Sequence, residues 1–160
     1  MTTKVEGPLA GLRVIDLSIM AAGPWAAGLL AMLGAEVIKV EPPAGDAVRW
    51  NLPQQNGIGT NFIAMNVNKK DIVLDLKSKE GLAQAMDLVR TCDILVQNFR
   101  VGVMERLGMG YETLREVNPR LVYCAISGYG EHGPLAKDGC GDPLMQAFSG
   151  FACLNGYKGE

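Results

Sequence analysis

Asp142 stands between Gly141 and Pro143 in the segment GCGDPLMQAFSG, ten residues after His132, the one histidine of the chain. A carboxylate in such a setting can serve as a nucleophile or as a general acid and base. It can equally do no chemistry and cap the helix that DPLMQAF opens. His132 lies in the glycine-rich SGYGEHGP (127–134), a loop with the flexibility of a lid. It has no fixed partner in sequence and reads as an exposed surface histidine.

Other residues suit holding a ligand rather than converting it. VQNFRVG (96–102) ends an apolar run directly in Asn98-Phe99. There an amide can hydrogen-bond a ligand and a ring can stack on one; a turn-forming Asn beside a core Phe is the alternative. MAAGP (20–24) puts small residues where a strand turns into a helix, which admits either a ligand or close helix–sheet packing. Arg49 in VEPPAGDAVR could bind phosphate or could pair with Asp46 or Glu41. Lys69, Lys70 and Lys77, with Arg106, could neutralise phosphates or form a solvated face. No GxGxxG follows the first strand and no GxxxxGK[ST] occurs, so the common dinucleotide and P-loop signatures are missing.

These residues need a scaffold, and the apolar pattern supplies one. LRVIDLS (12–18), EVIKVE (36–41), DIVLDL (71–76), DILVQN (93–98) and RLVYCAIS (120–127) read as buried strands. A helix is expected from Pro24 to Gly34, since proline is tolerated in a first turn. A second follows Ser78, its N-cap, through KEGLAQAMDLVRTC, where Leu82, Ala85, Met86 and Val89 share one face. VGVMERLG and YETLREVNP read as short helices, and Asp142 is expected to cap the last one. Strands alternating with helices mean an α/β fold with a mainly parallel sheet and right-handed crossovers. Ligands of such sheets bind beyond the carboxyl ends of the strands. The loops that matter are therefore 18–24, 41–49, 98–106 and 127–142.

At 160 residues the chain reads as one domain (1–160) able to bury a real core. A composition 48% apolar and 20% charged is that of a soluble globular protein. A formal charge of −2 leaves no basic footprint for nucleic acid. Cys92, Cys124, Cys140 and Cys153 form no CxxC pair, and one histidine does not complete a zinc set, so no metal site is expected. Dispersed thiols suggest a reducing, cytoplasmic setting. No stretch is long enough to cross a bilayer, so no membrane role is expected. The ending LNGYKGE, with no closing helix, raises the expectation of truncation.

LAGLRVIDLS…AGPWAAGLLAMLGAEVIKVEPPAGD, NVNKKDIVLDLKS, DILVQNFRVGVMERLGMGYETLREVNPRLVYCAISGYGEHGP and QAFSG run in order. Together, over residues 8 to 156, they resemble the amino-terminal part of the family III coenzyme A transferases, a family that includes the α-methylacyl-CoA racemases. The resemblance implies an incomplete Rossmann-like large domain, normally completed by later segments, in an interlocked homodimer. It implies transfer of coenzyme A between an acyl-CoA and a carboxylic acid, both substrates, with no tightly bound cofactor.

By the same resemblance an aspartate attacks the acyl-CoA thioester, and that aspartate would fall beyond Glu160. No catalytic residue is then expected within the chain, and Asp142 keeps only its capping role. The racemases carry a histidine where this chain has Gly141, which favours the transferase branch. Met20, Ala21, Leu74, Lys77, Asn98, Phe99 and Arg106 match positions that contact coenzyme A in the family. Ala21 replaces a polar residue of formyl-CoA transferase, and Pro42 stands where that enzyme has an arginine, leaving the acyl group open. A coenzyme A- or nucleotide-binding module without chemistry, or a racemase-branch protein, are the alternatives.

Overall fold

The computed structural model describes residues 7–156. In chain order the elements are β1 (Arg13–Asp16), α1 (Ala22–Met32), β2 (Glu36–Glu41), a 3₁₀ turn (Ala47–Trp50), β3 (Gln54–Gln55), β4 (Ile58–Gly59), α2 (Thr60–Met65) and β5 (Lys69–Val73). Then come α3 (Lys79–Thr91), β6 (Ile94–Gln97), α4 (Val103–Arg106), α5 (Tyr111–Val117), β7 (Val122–Ala125), α6 (Asp142–Phe148) and a second 3₁₀ turn (Phe151–Leu154). Five strands form one sheet in the order β5-β2-β1-β6-β7, every pair parallel. This is the doubly wound, Rossmann-like α/β arrangement that the strand–helix alternation implies. The strand order reverses between β1 and β6.

Alternation along the strands divides the core in two. Val14, Val37 and Val96 pack with Ala27, Ala31 and Ala35 on the α1 side. Ile15, Leu17, Val40 and Leu95 pack with Ala85, Val89 and Leu114 of α3 and α5 on the other. On the α1 side the period of two continues from Val14 to Asp16 and from Val37 to Lys39 and Glu41, so this face turns from apolar to charged toward the carboxyl end. Asp16, Lys39 and Glu41 are nonetheless buried.

Local chemistry sets the helix ends. Ser78 caps α3 as expected, its Oγ accepting the Gly81 N–H at 3.0 Å. α1 begins two residues before Pro24, because the proline ring fits the first turn, where N–H groups lack helical partners. It ends at Met32 with Gly34 left-handed at φ 101°, the Ala35 N–H bonding the Leu30 carbonyl and the Gly34 N–H that of Ala31. That is a Schellman closure, which a glycine meets without steric cost.

Four expectations need correction. The third strand runs over Lys69–Val73 rather than 71–76, since its partner β2 stops at Glu41 before Pro42 and Leu74 makes the last ladder bond, to the Glu41 carbonyl. β2 matches its run of 36–41, whereas β1, β6 and β7 are one or two residues shorter at each end than their apolar runs. Asp142 does not cap α6: Gly141 holds the N-cap position, and no side chain caps it. Asp142 is instead a first-turn acid whose Oδ2 accepts from the Gln146 amide at 2.6 Å. Finally, the β3–β4 hairpin and α2 fall in a stretch (54–65) for which no element was expected.

Among the described residues, no helix is long and apolar enough to cross a membrane.

Candidate functional site

The reversal of strand order opens a crevice between the carboxyl ends of β1 and β6, where doubly wound sheets receive ligands. Asn98 follows β6 there and Ile19 to Ala21 follow β1. The Asn98 amide accepts the Ile19 N–H at 2.8 Å and donates to the Ile19 carbonyl at 2.7 Å. Its hydrogen-bonding groups therefore hold the neighbouring loop. Met20 and Ala21 are exposed at the crevice, Met20 in the left-handed region at φ 66°. Gly23 is buried under them, and a Cβ there would lie 2.2 Å from Ser18 Cβ and 3.3 Å from Asn98 Cγ. MAAGP thus serves close packing through Gly23 while leaving Met20 and Ala21 free.

Phe99 is half-buried and packs on the α3-side core, so its ring is anchored more than it is offered. It also borders a cavity of about 200 Å³ at the ends of β6 and β7, with Gln97, Arg100, Ser127, Glu131 and His132. His132 is exposed, as read from the sequence, and stands at that cavity's wall.

Leu74 lies past the end of β5, half-buried against the same core, and Lys77 is exposed just beyond it. Arg106 is exposed at the end of α4, beside Gly102. Three strand spacings separate the ends of β5 and β6, about 14 Å. Met20, Ala21, Asn98 and Phe99 are therefore one cluster, whereas Leu74 with Lys77 and Arg106 flank it on the same carboxyl edge.

Beneath the crevice lies a charged network whose centre the sequence reading passed over. Lys69, considered for phosphates, has a buried side chain that bonds Asp16 Oδ2 at 2.8 Å, the Pro24 carbonyl at 2.7 Å and Asn66 Oδ1 at 2.8 Å. Lys39 Nζ bonds Asp46 Oδ2 at 3.3 Å and the Ser18 carbonyl at 3.0 Å. Arg49 grips Glu41 through two bonds of 2.7 Å, reaches Asp71 at 2.6 Å and stacks over Phe62 with its guanidinium 3.9 Å from the ring centre. Of the two roles open to Arg49 the structure shows ion pairing. Lys70 pairs with Glu36. The sequence signal for this network was a lysine in the middle of the apolar strand EVIKVE, which an apolar environment tolerates only with a partner.

Electrostatics follow from this packing. Burial works to raise the Glu41 carboxyl, but the Arg49 hydrogen bonds, the Asp46 N–H and the charges of Arg49 and Lys39 outweigh it and hold it low. Burial, then the neighbouring Glu41 carboxylate, pushes Asp71 up. Burial pushes the Lys69 ammonium down against the opposing pull of Asp16. Among the described residues every buried side-chain nitrogen and oxygen has a partner.

A family model described as CoA-transferase family III matches residues 9–160. A succinate–glutarate CoA-transferase of Agrobacterium fabrum is 43% identical over 157 residues, covering 93% of this chain and 39% of its own length. An acetyl-CoA:oxalate CoA-transferase of Acetobacter aceti is 43% identical over 155 residues, covering 96% and 40%. The crystal structure of a CAIB/BAIF family protein from Brucella suis superposes with a TM-score of 0.90 at 38% identity, over 96% of this chain and 42% of that one. The chain spans about 40% of the length of the curated relatives it matches.

Proposed function

The chain belongs to CoA-transferase family III, and from that membership we propose that it carries the coenzyme A-binding edge of an acyl-CoA:carboxylate CoA-transferase. One observation supports this most: the Asn98–Ile19 clamp gathers Met20, Ala21, Asn98 and Phe99 at the switch point of the sheet. Lys77 and Arg106 flank that crevice as exposed cations suited to phosphates on a long flexible arm.

In this reading an aspartate outside these 160 residues supplies the chemistry. Its carboxylate attacks the acyl-CoA carbonyl and expels coenzyme A thiolate, leaving a mixed anhydride. The thiolate then attacks the aspartyl carbonyl and releases the donor acid, giving an aspartyl thioester that the acceptor acid reverses. Asp142 is no part of this, being exposed and engaged with Gln146. The two relatives above are named for succinate, glutarate and oxalate, which supports a short dicarboxylic acid as donor or acceptor. Trp25, Leu29 and Met32 of α1, with Leu33 just after it, form an exposed apolar stripe, surface that the remainder of a longer chain or a second subunit would cover.

The test is an NMR titration of the labelled chain with coenzyme A. Amides of 20–21, 74–77 and 98–106 should shift, more weakly as salt is added. A partial, solvent-exposed site should bind at roughly 0.1–1 mM, about 4–5.5 kcal/mol. Silence of the 98–106 loop would sink the assignment. No coenzyme A exchange is expected from the chain alone, and turnover that disappears in Asp142→Ala would overturn the exclusion of Asp142.

A further inference from the structure

Met20 is the residue at which β1's loop turns outward, and it does so in a conformation that L-residues with side chains avoid. Its φ of 66° is unfavourable for a residue with a Cβ unless its surroundings hold it. They do so through one carboxylate. Asp46 receives the Met20 N–H, 3.1 Å from Oδ2 and 3.3 Å from Oδ1. The same carboxylate accepts the Val48 N–H at 3.1 Å, which fixes Asp46 at the head of the 3₁₀ turn that follows.

Lys39 completes the device from β2. Its ammonium bonds Asp46 on one side and the Ser18 carbonyl on the other, and both charged side chains are only 1% exposed. Ser18 is thus held by Lys39, Ile19 by Asn98 and Met20 by Asp46: three successive residues pinned by three side chains from three places in the fold. Burying a charged pair is no efficient way to gain stability, since apolar residues of similar size often do as well. Its aim, at the strained residue that faces the crevice, is what an apolar pair would lose.

We propose that Asp46, charge-paired with Lys39, is a positioning residue that locks Met20 left-handed and so sets the loop against which coenzyme A lies. The pair is too buried to touch a ligand and acts through the Met20 N–H. The inference rests on the coenzyme A reading for its ligand, but the lock itself is observable without one.

The experiment follows amide hydrogen exchange by NMR in the full chain, with and without coenzyme A. In the unmutated protein the Met20 amide should be protected and the Ala21 amide less so. Asp46→Asn places an amide donor among donors; it should speed Met20 exchange and weaken coenzyme A binding, each by about tenfold, the size expected for losing one hydrogen bond to a charged group. Lys39→Met should do the same through the Ser18 and Asp46 side, and Asp46→Glu should restore part of both. The surface pair variant Arg90→Ala serves as a folded control.

An Asp46→Asn protein that melts earlier yet keeps Met20 protection and coenzyme A affinity would overturn the proposal, leaving the pair a structural one. An unprotected Met20 amide in the unmutated chain would overturn it even if the variants fail to fold. Protection of Met20 that depends on Asp46, with no coenzyme A response in any protein, would uphold the lock and overturn the coenzyme reading instead.

Discussion

The Asn98 side chain crosses the crevice between β6 and β1 and pairs with both backbone groups of Ile19, at 2.8 and 2.7 Å. An asparagine at a strand end could have turned its amide to a ligand; here the amide is engaged by the loop beside it. A coenzyme lying in the crevice would meet Met20, Ala21 and the flank of Asn98 rather than a free carboxamide.

Removing that clamp should therefore damage the loop before it damages any ligand contact. Asn98→Leu keeps the approximate shape but leaves the Ile19 N–H and carbonyl unpaired, a loss of about 1–3 kcal/mol. Urea unfolding should show it as a lower midpoint with an unchanged slope. Full stability in this variant would mean that Ile19 finds other partners and that the Asn98 amide is free for a ligand.

Gly23 should be equally intolerant, for a steric reason. A Cβ would sit 2.2 Å from Ser18 Cβ and 2.5 Å from its Oγ, both in a buried residue that cannot swing away. Gly23→Ala should cost roughly 1–3 kcal/mol by overpacking, although alanine is ordinarily the better helix former. Thermal melting reads this directly, and a melting point at or above that of the unmutated chain would refute it.

The parallel strands were legible because each is a short apolar, β-branched-rich run, and Ser78 because serine before a helical pattern has one common use. The hairpin of β3 and β4 was legible too, and was missed. Its turn is Asn56-Gly57, both with positive φ, 51° and 79°, the pair that a tight hairpin turn demands. Its strands are two residues each, too short to show alternation. The charged network was hidden for a different reason. Lys69 looks like a solvated lysine and Lys39 only like a lone charge in an apolar run until Asp46, Ser18, Asp16 and Asn66 are brought to them by pairing of β2 with β1 and β5. Asp142 illustrates the opposite error: aspartate before proline resembles a cap, yet the chain enters the helix one residue earlier, at extended Gly141 (φ −127°, ψ 159°).

That entry leaves room for improvement by substitution. Gly141 has the backbone of an N-cap, no side chain to perform the task, and no heavy atom within 4 Å of where a Cβ would stand. Gly141→Ser should supply an acceptor to the first turn of α6, where Pro143 has no N–H and Met145 already bonds the Gly141 carbonyl, so amide exchange should slow at Leu144. Glycine is itself a fair cap, so the gain should be only a few tenths of a kcal/mol. Unchanged exchange over that turn would show that α6 has no uncapped donor to satisfy.

The Arg49–Glu41 pair makes an acid-sensitive prediction with a definite sign. Glu41 titrates below its ordinary value of 4.5 in the folded chain, with burial opposing and Arg49 prevailing. Its contribution is therefore full above pH 4.5 and is lost as pH falls through the lower, folded value. Asp71, pushed up by burial and by Glu41, has the opposite sign: its protonation in mild acid relieves repulsion and offsets part of the loss. Arg49→Met removes the cation and leaves Glu41 buried beside Asp71, so burial raises its carboxyl with only the Asp46 N–H and Lys39 left to oppose it. At pH 7 that variant should be less stable by about 3 kcal/mol, the usual penalty for stranding one member of a buried pair. As pH falls from 7 toward 4 the two proteins should converge, because the stranded carboxylate is neutralised first in the variant. Denaturant midpoints measured in parallel across that range provide the check. Parallel pH profiles, with a constant gap between the two proteins, would mean that Arg49 contributes through its stacking on Phe62 and not through the charge of Glu41.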